Sequence, residues 1–166
     1  MDVNELLARY EARGQEHDFV AAKASFERAI AEAEDARLLT GYGYLLESHG
    51  RNELRHAVEL YERAIELDPD DAVLITVRGE AKAGLGDVEG ALSDWGRALE
   101  LDPEDIGALY SSAFLLERED RLEESAAAWQ AIIDWNEARE QTLETEWPKR
   151  ELQRLRAELG ARRGDR

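Results

Sequence analysis

The chain has 166 residues, 36% of them charged, with a formal net charge of −17 and no cysteine. A hydrophobic share of 43% is too high for a disordered acidic chain and is enough to build a core. The absence of cysteine excludes disulfides, thiolate chemistry and Cys-ligated zinc, and the acidic balance argues against nucleic acid, which is held through phosphates by Lys and Arg.

Gly and Pro are few, and Ala, Leu, Glu and Arg dominate. These side chains lose little rotamer freedom in a helix, so an all-α chain is expected. The opening stretch MDVNELLARYEARGQEHD is charged throughout and has no apolar core of a secretion signal. No stretch approaches the roughly 20 apolar residues of a membrane span. A cytoplasmic protein without membrane association is the expectation.

Moving along the chain, a first repeat is expected over residues 3–36, carrying Ala22, Phe26, Ala29 and Ile30. The same pattern returns as Ala57, Tyr61, Ala64 and Ile65 in a second repeat, 38–71. The segment AVELYERAIELDPDDA from Ala57 aligns without a gap on ALSDWGRALELDPEDI from Ala91. That offset places a third repeat at 72–105. Its first helix is expected from Asp71 to Gly84, a turn at Gly86-Asp87, and its second helix up to Asp102-Pro103, where proline stops it. At the matching turns stand Asn52 and Asp120, residue types that tolerate left-handed backbone. Small residues (Ala57, Ala64, Ala91, Ala98, and Gly79 on a first helix) let helices approach closely. The aromatics Tyr61 and Trp95 are expected to fill space toward the next repeat. Stacked helix pairs of this kind bury a stripe that one pair alone cannot.

A fourth repeat, 106–139, keeps Trp129 but has Ser125 and Ile132 where the others have Ala, and Glu137 in place of the closing Pro. Its last helix is expected to run past Trp135 toward the 140s, giving repeats over 1–137 and an extended or capping helix within 138–160. Trp147-Pro148 opens a new element, with proline welcome in a first helical turn. Leu152, Leu155 and Leu159 form one stripe, and Gly160 is expected to close it. From Lys149 onward there are seven basic and three acidic residues. Residues 161–166 are read as a basic tail, either solvated or docked on the acidic body of its own chain or of a second copy.

No pattern for chemistry emerges. His49 and His56 lie seven apart across a turn, unlike a helical metal pair, and His17 is remote. Glu104-Asp105 and Asp68-Asp70-Asp71 fall at helix starts, where carboxylates cap free N–H groups. GLGDVEG, which begins at Gly84, lacks the Lys-Ser/Thr and the preceding strand of a phosphate loop. No metal, no cofactor and no enzymatic activity are expected.

The repeat period of roughly 34 residues, the Ala-x3-aromatic-x2-Ala core and the closing Asp-Pro resemble the tetratricopeptide repeat family. The pentatricopeptide family has a similar period but reads RNA, which the acidic charge disfavours. The resemblance implies a right-handed α-solenoid of four helix pairs with a C-terminal capping helix. It also implies a concave groove lined by the first helices. Carried over at a constant register, one row of that groove is Leu7, Tyr42, Thr76 and Tyr110, and the next is Glu11, Leu46, Glu80 and Phe114. One branch of the family grips acidic C-terminal tails of chaperones with Lys, Arg and Asn. Here those places hold Tyr42, Leu46, Val77, Gly107 and Ser111, or, if the earlier three units are taken, Leu7, Glu11, Gly43, Val73 and Val77, so that ligand is not expected. The expected function is a protein-binding adaptor or scaffold, co-chaperone-like in kind, for a partner segment with apolar anchors and basic flanks. Self-assembly, for instance as a homodimer, is the alternative, and an enzyme a remote one.

Overall fold

The computed structural model describes residue 8, residues 16–139 and residues 145–164. The described residues hold eight helices: α1 Glu16–Glu32, α2 Ala36–His49, α3 Leu54–Leu67, α4 Ala72–Leu85, α5 Val88–Leu101, α6 Ile106–Arg118, α7 Leu122–Ala138 and α8 Glu146–Gly164. No strand occurs among the described residues. The chain divides into an N-terminal half, Met1–Asp94, and a C-terminal half, Trp95–Arg166, with the division inside α5. Within each half, helices adjacent in sequence pack on one another, the arrangement of a helical solenoid.

Aspartates start α2, α4 and α6. Asp35 Oδ1 accepts from Leu38 N at 2.8 Å, Asp71 Oδ1 from Val73 N at 2.9 Å, and Asp105 Oδ1 from Ala108 N at 3.0 Å. Each satisfies a donor that the helix leaves open. Gly86 ends α4 in the left-handed region at φ 87°. Asp120 takes the same region at φ 58°, as expected of that turn. At the turn after α2 the positive φ belongs to Gly50, at 135°, rather than to Asn52.

That turn is longer than its counterparts. Gly50 to Glu53 join α2 to α3, whereas Gly86 and Asp87 alone join α4 to α5. The additional length is used. Arg51 donates from Nε and Nη2 to the carbonyl of Gly84 at 3.2 and 3.1 Å, placing a cation on the C-terminal turn of α4.

The core of the N-terminal half is built on Phe26, Leu39, Tyr42, Leu45, Leu46, Leu60 and Tyr61, with Ala57 and Ala64 fully buried between them. Tyr61 shares this core with Leu74, Val77 and Ala81 of the next repeat, toward which it was expected to pack. It lies on the first helix of its own pair, where a β-carbon on Gly43 would collide with its ring and where its hydroxyl donates to Glu47 Oε2 at 3.1 Å. Phe26 likewise packs forward, against Gly41 of the next pair. Between α4 and α5 the core turns ionic. Asp94, 5% exposed, accepts from Arg78 at 2.8 and 2.6 Å and lies 2.8 Å from Lys82 Nζ.

In the C-terminal half Trp129, Ile132 and Ile133 of α7 pack with Leu152 and Leu155 of α8. Ser125, in an alanine's place, is satisfied by donating to the carbonyl of Ala113 at 3.0 Å. The helix expected to run toward the 140s passes Trp135 but ends at Ala138. Gly160 does not close α8, which continues to Gly164. The added turn carries surface ion pairs. Arg162 makes two hydrogen bonds to Asp120, at 2.9 and 2.8 Å, and Arg163 lies 3.7 Å from Glu123. The basic end therefore docks on the acidic body of its own chain.

Candidate functional site

The helix starts settle which residues are equivalent. The second helices begin at Leu54, Val88 and Leu122, at equal intervals. The first helices begin at Ala36, Ala72 and Ile106. The interval from Ala72 to Ile106 matches that of the second helices, but the interval from Ala36 to Ala72 is longer by two positions. The long turn at Gly50–Glu53 accounts for the difference. The residues that match Thr76 and Glu80 are consequently Thr40 and Tyr44, two positions away from Tyr42 and Leu46. The small residues confirm the register: Gly43, Gly79 and Ala113 are equivalent and all buried. So do the aromatic pairs. Tyr44 meets Tyr61 edge-on at 6.0 Å and 71°, and Phe114 meets Trp129 edge-on at 5.3 Å and 87°.

The groove residues expected at a constant register fall into different environments. Tyr42 is 2% exposed and Leu46 fully buried. The Tyr42 ring stacks on Phe26 and its hydroxyl donates to Glu27 Oε1 at 2.9 Å. Both belong to the core. Thr76 is buried on α4, and Glu80 is exposed one turn later. In the C-terminal half Tyr110 is half-buried and Phe114 is 50% exposed. Leu7 and Glu11 lie outside the described residues. Tyr44, not among the expected residues, is 42% exposed.

Tyr44 opens onto a hollow of roughly 730 Å³ between α2 and the start of α4, where Tyr44, Val73 and Leu74 form an apolar wall beside Thr40. Val73 is 57% exposed. Three aspartates, Asp35, Asp68 and Asp71, line the hollow against one arginine, Arg37. The field there is negative. Burial, followed by the carboxylates of Glu80, Glu47 and Asp71, pushes the Tyr44 hydroxyl's pKa up. Burial also raises that of Glu47, although the Tyr61 hydroxyl opposes it. Such a hollow has the chemistry to take an apolar side chain with a cation beside it.

In the C-terminal half an equivalent face is filled. Trp147, the second residue of α8, stacks on Tyr110 at 5.8 Å and lies against Phe114 at 5.8 Å and Trp129 at 5.0 Å. Arg154 of α8 pairs with Glu117, one helical turn beyond Phe114.

No group of three His, Asp or Glu side chains able to hold a metal occurs among the described residues. His49 stacks on Phe19, and His56 meets Tyr42 edge-on. No described helix is long and apolar enough to cross a membrane.

Residues 36–71 match the sequence pattern of the tetratricopeptide repeat. No curated protein matches the chain. Among solved structures, it is similar to a tetratricopeptide repeat protein from Parabacteroides merdae, with a TM-score of 0.70 and 21% identity over 94% of this chain and 60% of that one. It is similar to the MamA RS-1 ArsTM double mutant, with a TM-score of 0.67 and 16% identity over 96% of this chain and 95% of that one. It is also similar to YrrB, described as a TPR protein with an unusual peptide-binding site, with a TM-score of 0.64 and 24% identity over 75% of this chain and 62% of that one. The chain thus spans about three fifths of the first structure, and its match to the third covers a similar share. At these identities the likeness establishes the fold, an all-helical repeat solenoid.

Proposed function

We propose, from the premise that this chain is a tetratricopeptide-repeat protein, that it is an adaptor that binds a segment of another protein. The hollow between α2 and α4 is the primary contact. One observation carries this reading: Tyr44 and Val73, both large apolar residues left exposed, share one hollow with three aspartates. Exposed aromatic and aliphatic side chains in a concavity are the usual anchors of recognition. The carboxylates select for basic residues beside the anchor and steer such segments toward the site.

The likeness to YrrB lends support at the level of fold alone. Matched by helix starts, Tyr44 takes the place expected for Leu46, and Thr40 that expected for Tyr42. Thr40, Tyr44, Thr76 and Glu80 include no cation, so an acidic tail remains a poor ligand.

The test is affinity capture from the source cell with the full chain and with the Tyr44→Ala/Val73→Asp variant as baits. Partners retained by the parent and lost by the folded variant support the reading. A partner set unchanged by the double substitution contradicts it.

A further inference from the structure

The two halves of the chain carry the same aromatic arrangement, with two rings missing from the first. Gly43-Tyr-Leu-Leu-Glu47 and Ala113-Phe-Leu-Leu-Glu117 are equivalent segments on α2 and α6. Each presents an aromatic that meets a buried aromatic of the following helix edge-on. In the C-terminal half two more rings complete the cluster: Tyr110 on α6, and Trp147 at the second position of α8. In the N-terminal half the equivalent of Tyr110 is Thr40, and the second position of α4 is Val73. Both are much smaller, and both line the hollow beside Tyr44. The hollow is therefore the space that an indole and a phenol occupy in the other half.

On this basis, and resting on the binding role proposed above, we infer that the hollow takes an aromatic side chain of the partner. A tryptophan fits it best, lying against Tyr44 as Trp147 lies against Phe114, with a lysine or arginine beside it facing Asp68 and Asp71. Aromatic rings gain beyond simple area burial when they stack or meet edge-on. A cation held between an aromatic face and carboxylates gains from both. An aliphatic anchor fills less of the space and loses the ring contacts, so the site discriminates by shape as well as by charge.

The experiment uses the full chain and three synthetic heptapeptides: a tryptophan flanked by lysines and serines, and the same peptide with Leu or with Ala in place of Trp. Affinities are read by NMR titration. The expected order is Trp at least 10-fold tighter than Leu, with Ala not measurable. Val73→Trp fills the hollow from within and is expected to weaken the Trp peptide at least 10-fold while keeping the helical melt. Thr40→Tyr, which mimics Tyr110, provides the same test from the α2 side should Val73→Trp not fold. Equal or tighter binding of the Leu peptide, still lost in the filled variants, overturns the aromatic preference and leaves the binding role standing. Unchanged affinity for the Trp peptide in a folded filled variant overturns the placement in the hollow. No binding by any of the three peptides at millimolar concentration overturns both.

Discussion

The ring of Tyr61 lies over the backbone of Gly43, close enough that a β-carbon at position 43 would collide with it. The contact fixes how the second helix of this pair seats on the first, and glycine makes it possible. Gly43→Ala is expected to destabilise the fold by about 2 kcal/mol, the range for overpacking a filled core. Gly96 on α5 provides the control. It is exposed and nothing lies within 4 Å of an added β-carbon, so Gly96→Ala is expected to stabilise by about 0.5–1 kcal/mol through helix propensity. Denaturant melts of the two variants check both signs.

Asp94 holds two cations, Arg78 and Lys82, in a poorly exposed contact between α4 and α5. Asp94→Ala leaves both without their counter-charge and is expected to cost about 3 kcal/mol. The equivalent positions on α2 are Tyr42 and Leu46, which are apolar and buried. Replacing Arg78, Lys82 and Asp94 together by leucine is therefore expected to recover most of that loss. Chemical melts of the single and triple variants decide whether the triad stabilises the fold or only tolerates its own burial.

Two kinds of contact hold α8, and they are unequal. Leu155 is fully buried against α7, and Leu155→Ala is expected to cost about 3 kcal/mol. Arg162 pairs with Asp120 at the surface, where water and salt screen the attraction. Arg162→Ala is expected to leave the melting midpoint unchanged within error at physiological salt, and the helix in place.

Glu47 is a carboxyl whose pKa burial raises. A carboxyl with a raised folded pKa favours the folded state when protonated, and that contribution is lost as pH rises through the folded pKa. Glu47→Gln keeps an acceptor for the Tyr61 hydroxyl and removes the titration. It is expected to be more stable than the parent at pH 7, with the advantage shrinking as the pH falls into the carboxylate range. Melts of both proteins between pH 4 and pH 8 give the comparison.

The helix pairs were legible because Pro69, Pro103, Gly86 and the aspartate caps are local signals that act within one turn of chain. The face of α2 was not, because it depends on a count across a turn. The turn at Gly50–Glu53 is longer than that at Gly86-Asp87 and shifts α2 by two positions. On a helix, two positions move a side chain to the opposite face. Tyr42 and Leu46 thus went to the core and Tyr44 to the surface. A signal was present in GYLLE, which begins at Gly43, and AFLLE, which begins at Ala113. Their separation exceeds by two positions what a pair of strict repeats would produce. The docking of Arg162 on Asp120 was not legible either, since the two are remote in the chain and only the packing of α8 brings them together.

We propose that partners meet this protein at Tyr44, in the hollow between α2 and α4. The most direct measurement places a photo-activatable phenylalanine analogue at position 44 and, separately, at the exposed position of Glu59 on α3. Each variant is then irradiated with the captured partner. Efficient cross-linking from position 44 and little from position 59 is the predicted result. Equal cross-linking from both, or cross-linking from position 59 alone, would contradict the account.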